Sequence, residues 1–127
     1  MKLMRDDELY ELLMIDYQIS EVDRLNRVLA KHGLTDSTIR AKICSEFAHT
    51  NGWFMDQGWL EGEAPGRYWP ELVFSKRSLH PEDGLGDIEE LVVPSYASNL
   101  QEYAAASIDF YFQESNETLG AIRTGDA

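Results

Sequence analysis

The side chains of this chain best equipped for chemistry are three histidines, one cysteine and a dense group of rings. Glu46 and His49 stand at the i, i+3 spacing by which helix-bundle carboxylate proteins hold iron or manganese. Such a centre needs a second Glu-x-x-His and two more glutamates. No other instance occurs here, so only a dimer with shared ligands could complete one. At about 100° per residue, Ile43 and Phe47 centre the buried face of that helix, Glu46 falls at its edge and His49 turns toward solvent. Lys42, four residues earlier, can pair with Glu46 instead. The expectation is no metal and no cofactor, with Glu46 and His49 the only candidates.

His80, Glu82, Asp83, Asp87, Glu89 and Glu90 gather oxygen ligands suited to a hard cation, but the acids do not alternate before the glycine as a calcium loop requires. A solvated turn is the expected use. Gly84-Leu85-Gly86 lacks the third glycine, the lysine and the preceding strand of a nucleotide loop. Cys44, the lone cysteine, lies beside Ile43 and Phe47 and reads as a small buried hydrophobe, with no cation or helix start to activate it. No serine sits in a nucleophile elbow, and no catalytic residue is assigned.

The rings remain. All three tryptophans fall between Trp53 and Trp69, in a glycine-studded stretch that also carries Phe54, Tyr68, Phe74, Asp56, Glu61, Glu63 and Glu71. The first expectation is that these rings close the core over the helices before them. The second is that Trp53, Trp59, Glu61, Tyr68, Trp69 and Glu71 form a surface for another protein, since such rings are enriched at interfaces. The third is a cage for a cationic group or a platform for a sugar. Phe110, Tyr111 and Phe112 are expected to add to the same wall.

Net charge narrows the partners. Twenty-three acids oppose 11 bases, a formal charge of -12, which disfavours binding to a phosphate backbone. Residues 6 to 23 hold seven acids and no base, whereas 24 to 42 hold five bases, Arg24, Arg27, Lys31, Arg40 and Lys42, against Asp36. If the first segment is a helix, both groups complement its dipole. At 127 residues one domain is expected. No stretch before the polar tail reaches the roughly 18 apolar residues of a membrane span, and Met1-Lys2-Leu3-Met4-Arg5 runs straight into Asp6-Asp7-Glu8 rather than into a signal peptide. No membrane partner is expected, and a cytoplasmic location is.

The elements that must position these groups follow from periodicity. Asp6 to His32 reads as one long helix with acids in its first turn and Gly33 as its cap. Leu12, Ile15, Ile19, Val22, Asn26 and Leu29 form its seam. The polar Asn26 would suit a homodimer through the first helix, but under three heptads the seam is expected to pack on the chain's own helices. Thr35-Asp36-Ser37 caps a second, antiparallel helix to about His49, stopped by Asn51-Gly52, with Ile39, Ile43, Cys44, Phe47 and Ala48 inward. An irregular aromatic segment follows. Leu72-Val73-Phe74 and Leu91-Val92-Val93 are expected to form a short β-hairpin. Pro94-Ser95 opens a C-terminal helix to about Glu114, with Ala97, Leu100, Ala104, Ile108 and Tyr111 on one stripe, and residues 116–127 form a frayed polar tail.

The fold class expected is thus α+β, dominated by helices. The functional expectation is a small acidic protein-binding or regulatory module in which acids steer a basic partner and a few rings supply affinity. The alternative is a small-ligand-binding domain or enzyme with a tryptophan-lined pocket, metal-dependent through a shared Glu-x-x-His site.

Overall fold

The computed structural model describes residues 1–96 and 99–113. The order of elements is β1 (Lys2–Arg5), α1 (Asp7–Lys31), α2 (Ser37–Gln57), a 3-10 turn at Leu85–Asp87, β2 (Glu90–Val93) and α3 (Leu100–Gln113). The fold is helix-dominated with one small two-stranded sheet. No helix among the described residues is long and apolar enough to cross a membrane.

Local chemistry accounts for the helix ends. The Asp6 carboxylate accepts from the Leu9 N–H at 3.1 Å, and Asp36 accepts from Thr38 and Ile39. Gly33, at φ +96°, ends α1 while its N–H and that of Leu34 return to Ala30 and Leu29. The expected seam of α1 holds at Ile15, Ile19, Val22, Asn26 and Leu29, which are buried or packed on the core, and fails at Leu12. Leu12 is exposed, and the buried line runs Tyr10, Met14, Gln18, Val22, with Ile19, Asp23 and Asn26 beside it. Two polar residues, Gln18 and Asp23, thus join the core beside that seam.

Those polar groups are tied across to α3. Gln18 Nε2 donates to the Leu100 carbonyl and its Oε1 accepts from Ser107 Oγ at 2.8 Å. Tyr111 donates its hydroxyl hydrogen to Asp23 Oδ1 at 2.7 Å and accepts from Asn26 Nδ2 at 3.2 Å. Arg27 Nε stands 3.2 Å from the other Asp23 oxygen, and Arg40 Nε donates to Asn26 Oδ1 at 2.9 Å. Asn26 thus joins α1, α2 and α3 within one chain. Burial and the Asp23 carboxylate together push the Tyr111 hydroxyl far above its ordinary pKa, so it stays a donor.

The pairs Glu11–Tyr103, Gln18–Ser107 and Asp23–Tyr111 advance together along both helices, so α1 and α3 run in the same direction. Each follows a strand, and the strands are consequently parallel. β1 pairs with β2 in the register Lys2–Glu90, Leu3–Leu91, Met4–Val92, Arg5–Val93. This corrects the expected hairpin. Of it there remains one antiparallel bridge, Phe74–Val92, on the other side of β2. Tyr10 pins that segment by donating to the Leu72 carbonyl at 2.7 Å and meeting Phe74 edge-on.

The second helix does not stop at His49. It continues through Asn51-Gly52 to Gln57, because Gly52 lies where α3 touches α2. A Cβ at Gly52 would fall 2.8 Å from the Gln101 Cα and amide nitrogen. One turn on, Asp56 receives the N–H groups of Leu100 and Gln101, both at 3.0 Å, and caps α3 from outside. The third helix accordingly begins at Leu100 rather than at Ser95, whose N–H is held by Asp7 at 2.8 Å. Ala97, Glu114 and the expected tail at 116–127 lie outside the described residues. On α2 the buried line is Cys44, Ala48, Gly52, while Ile39, Ile43 and Phe47, expected inward, are exposed.

Two apolar clusters make up the core. One joins Ile19, Val22, Cys44, Ala48, Ala104, Ile108 and Tyr111; the other joins Tyr10, Met14, Val92 and Leu100. Gly52→Ala should lower stability, because overpacking against backbone costs about 1–3 kcal/mol and outweighs a gain in helix propensity of about 1 kcal/mol. Gly62→Ala, where a Cβ meets nothing within 4 Å, is the control. Urea midpoints of the two variants measure the difference.

A pH dependence follows from Glu21, whose oxygens accept from Tyr17 at 3.0 Å and from Asn51 at 3.1 and 3.2 Å. Burial raises its carboxyl above the ordinary 4.5 despite these donors. The folded state therefore holds this proton more tightly than the unfolded chain. The resulting stabilisation is full below pH 4.5 and is lost as pH rises through the raised value. Glu21→Gln has no such proton to lose, so the stability of the variant relative to wild type should increase between about pH 4 and pH 7 in urea titrations.

Candidate functional site

The backbone after α2 builds the site. Gly58 ends the helix with its N–H on the Phe54 carbonyl at 2.9 Å, and the chain then folds back on itself. Leu60 and Tyr68 form an antiparallel bridge, with N–O distances of 2.7 and 3.3 Å. Gly66, at φ +89°, turns the intervening loop in a conformation that side chains with a Cβ rarely adopt.

That register places Trp59 opposite Trp69 and Glu61 opposite Arg67, on either side of the Leu60–Tyr68 pair. Successive side chains of an extended strand point to opposite faces. Trp59, Trp69, Glu61 and Arg67 accordingly share one face. The two indoles meet at 6.3 Å between centroids, tilted by 56°. Arg67 lies over the Trp59 ring, its Cζ 4.7 Å from the centroid, and its Nε is 3.9 Å from Glu61 Oε1. The Trp59 N–H donates to Glu61 Oε2 at 3.1 Å.

The cluster lies outside the core. Trp59, Tyr68 and Trp69 are 41%, 59% and 53% exposed, which overturns the expectation that the rings close the core. The space they were to fill is taken by aliphatic side chains with Tyr10 and Tyr111. Trp53, 45% exposed, stands on α2 and forms no ring pair with the others among the described residues. Glu71 does not join them either; its charge acts on Tyr10, whose hydroxyl is pushed up to about 12 by burial first and by Glu71 and Asp56 after it. The three rings of α3 diverge as well. Tyr111 is buried, Phe112 half-buried and edge-on to it, and Phe110 exposed.

Arg67 was not singled out in the sequence, and it changes what the cluster can do. An aromatic cage needs an open ring face for its guest cation. Here the chain's own guanidinium lies over Trp59. What remains presented on that face is Trp69 beside a Glu61–Arg67 pair, while Tyr68 lies exposed on the opposite face. The signal available in sequence was the near-palindromic order of Trp59-Leu60-Glu61 and Arg67-Tyr68-Trp69 about a turn.

Elsewhere the expected alternatives have little material. Glu46 is exposed and His49 half-buried, and among the described residues no group of three histidine, cysteine or acidic side chains could hold a metal ion. In the loop after His80, Asp83 accepts from the His80 N–H at 3.0 Å and pairs with Arg77 at 3.6 Å. Asp87 accepts from the Gly84 N–H at 2.9 Å. These carboxylates close turns. Cys44 is fully buried, and burial pushes its thiol up to about 11, the reverse of activation. Cavities of about 230, 570 and 350 Å³ are lined by none of the tryptophans.

No protein-family model, curated protein or solved structure matches the chain.

Acrylamide should quench the native tryptophan emission nearly as well as that of the urea-unfolded chain. Arg67→Ala should increase native quenching, with a stability loss of about 1 kcal/mol at most for an exposed cation–ring contact. Native emission shielded from the quencher would return the indoles to the interior.

Proposed function

We propose that the chain is a small protein-binding or regulatory module of the cytoplasm. Its first two helices run antiparallel as a support, and the turn carrying Trp59, Tyr68 and Trp69 is its contact surface. The observation behind this reading is the exposure of those three rings on a segment closed by its own backbone bridge. Rings held outside the core add little to folding, whereas rigid aromatic anchors dominate the energetics of interfaces. The two indoles restrain one another, so little side-chain freedom is left to lose on binding. A formal charge of -12 favours a basic partner through the rate of encounter. The ligand-cage alternative is less well supported, because Arg67 already lies over one face of Trp59 and none of the cavities of about 230, 570 and 350 Å³ is lined by a tryptophan.

The test adds basic candidate partners singly and follows tryptophan emission. A true partner should shift the spectrum, and Trp59→Ala combined with Trp69→Ala should weaken its binding at least tenfold, about 1.4 kcal/mol, with far-UV circular dichroism unchanged. Loss of the native spectrum in the double variant would show that the rings hold the fold, and the proposal would fail.

A further inference from the structure

A cavity of about 570 Å³ opens between residues 75–78 and β2, within the size range of ligand pockets, and it shares no residue with the turn of rings. Its origin is a ladder that stops short. Phe74 and Val92 exchange both backbone hydrogen bonds, at 3.2 and 2.8 Å. The next such pair of an antiparallel ladder lies two residues on along each strand and would join Lys76 to Glu90. It is not formed. The Ser75 hydroxyl accepts from the Arg77 N–H at 3.0 Å and donates to the Arg77 carbonyl at 3.2 Å, and this local turn bends the chain away from β2. The other edge of β2 is taken by β1, where the Glu89 carbonyl accepts from the Lys2 N–H at 2.7 Å. Backbone groups of a strand alternate between its two edges, so the Glu90 N–H and C=O point to the same edge as those of Val92, toward the cavity. Among the described residues neither has a backbone partner there.

The charges that line the cavity are divided by segment. Lys76 and Arg77 come from one side, Glu89 and Glu90 from the other, and Met4 and Val92 supply apolar surface. Arg77 is engaged with Asp83 at 3.6 Å. Lys76, Glu89 and Glu90 are exposed and form no ion pair among the described residues. A backbone donor and acceptor one rung beyond a bridge match an extended amide, as in the addition of a strand to a sheet edge. A cation and two carboxylates beside them match a ligand that carries both signs. A free amino acid has both charges but no internal amide. A peptide of about three residues, roughly 10 Å long when extended, has all of these at once.

We infer that this cavity binds a short zwitterionic peptide as an added strand beside Glu90, with the peptide carboxylate on Lys76 and its ammonium group on Glu89 and Glu90. The middle residue exchanges both backbone hydrogen bonds with Glu90 and sets its side chain toward Met4 and Val92. The site stands apart from the protein-binding surface and does not depend on it.

The test is calorimetric titration of the full chain with alanyl-valyl-alanine. The expected result is one peptide bound per chain, at least tenfold more tightly than free valine and than the same peptide acetylated and amidated at its ends. Methylation of the valine nitrogen, which removes the donor to the Glu90 carbonyl, should weaken binding at least tenfold as well. Lys76→Gln should lower affinity for the free peptide at least tenfold and leave that for the amidated peptide unchanged. Glu89→Gln with Glu90→Gln should do the same for the free amino end and spare the acetylated peptide, each variant keeping native circular dichroism. Equal binding of free and capped peptides, valine bound as tightly as the tripeptide, or an unchanged affinity in Lys76→Gln would overturn the inference. So would a titration that shows no saturation by about 10 mM peptide. Trp59→Ala with Trp69→Ala should leave peptide binding intact, so loss of the peptide site and loss of the ring surface are read separately.

Discussion

Everything in this fold is arranged around the point where α3 begins. A helix leaves its first four N–H groups without internal partners, and α3 does not satisfy two of these from its own chain neighbours. The Asp56 carboxylate, on the last turn of α2, takes the N–H groups of Leu100 and Gln101 at 3.0 Å each. One turn earlier Gly52 lets the backbones approach to a distance that no Cβ tolerates. With its start fixed there, α3 has only one register against α1, and the buried polar pairs Ser107–Gln18 and Tyr111–Asp23 enforce it. A slip of one residue would leave buried donors and acceptors unmatched, at about 1–3 kcal/mol for each group. That register aligns α1 and α3, and their alignment makes the sheet parallel.

What sequence could reveal divides along the same line between local and distant causes. The long first helix, its cap at Gly33 and the cap at Asp36 were legible, because each signal lies within a turn of the end it marks. Gly52 was legible as a glycine but not as a contact, since its meaning is supplied by Gln101, far along the chain. Apolar spacing found most of the α1 seam but missed Gln18 and Asp23, which are buried through bonds to α3 that periodicity of apolar residues cannot register. The strand pairing was missed for a related reason: β1 is four residues long, and its partner is set by helix alignment rather than by a turn. At the candidate site the composition was informative and the geometry was not. Rings and acids were identified, yet Trp53 and Glu71 proved separate from the rest, and Arg67 became visible only once the Leu60–Tyr68 bridge fixed what lies opposite what.

The turn of rings and the groove that Ile15, Asp16, Ile19, Ala106, Ser107 and Phe110 line between α1 and α3 differ in construction. The turn of rings is made of neighbours in sequence, closed by its own hydrogen bonds, and has little share in the core. The α1–α3 groove is the reverse, with walls from distant parts of the chain and a floor formed by the core itself. A change in packing would disturb the second and spare the first. Asp16 is the one acidic side chain lining the groove, whereas the turn carries an opposed pair, Glu61 with Arg67.

The parallel pairing of Lys2–Arg5 with Glu90–Val93 also has a kinetic meaning. A chain emerging from the ribosome presents its first strand well before the second exists, so this contact must be among the last to form during synthesis. Until then Leu3 and Met4 are an unpaired edge in a nascent polypeptide, flanked by Lys2 and Arg5, whose charges discourage pairing with another strand. Closing so long a loop places the molecule among slower folders than its helical content alone would suggest.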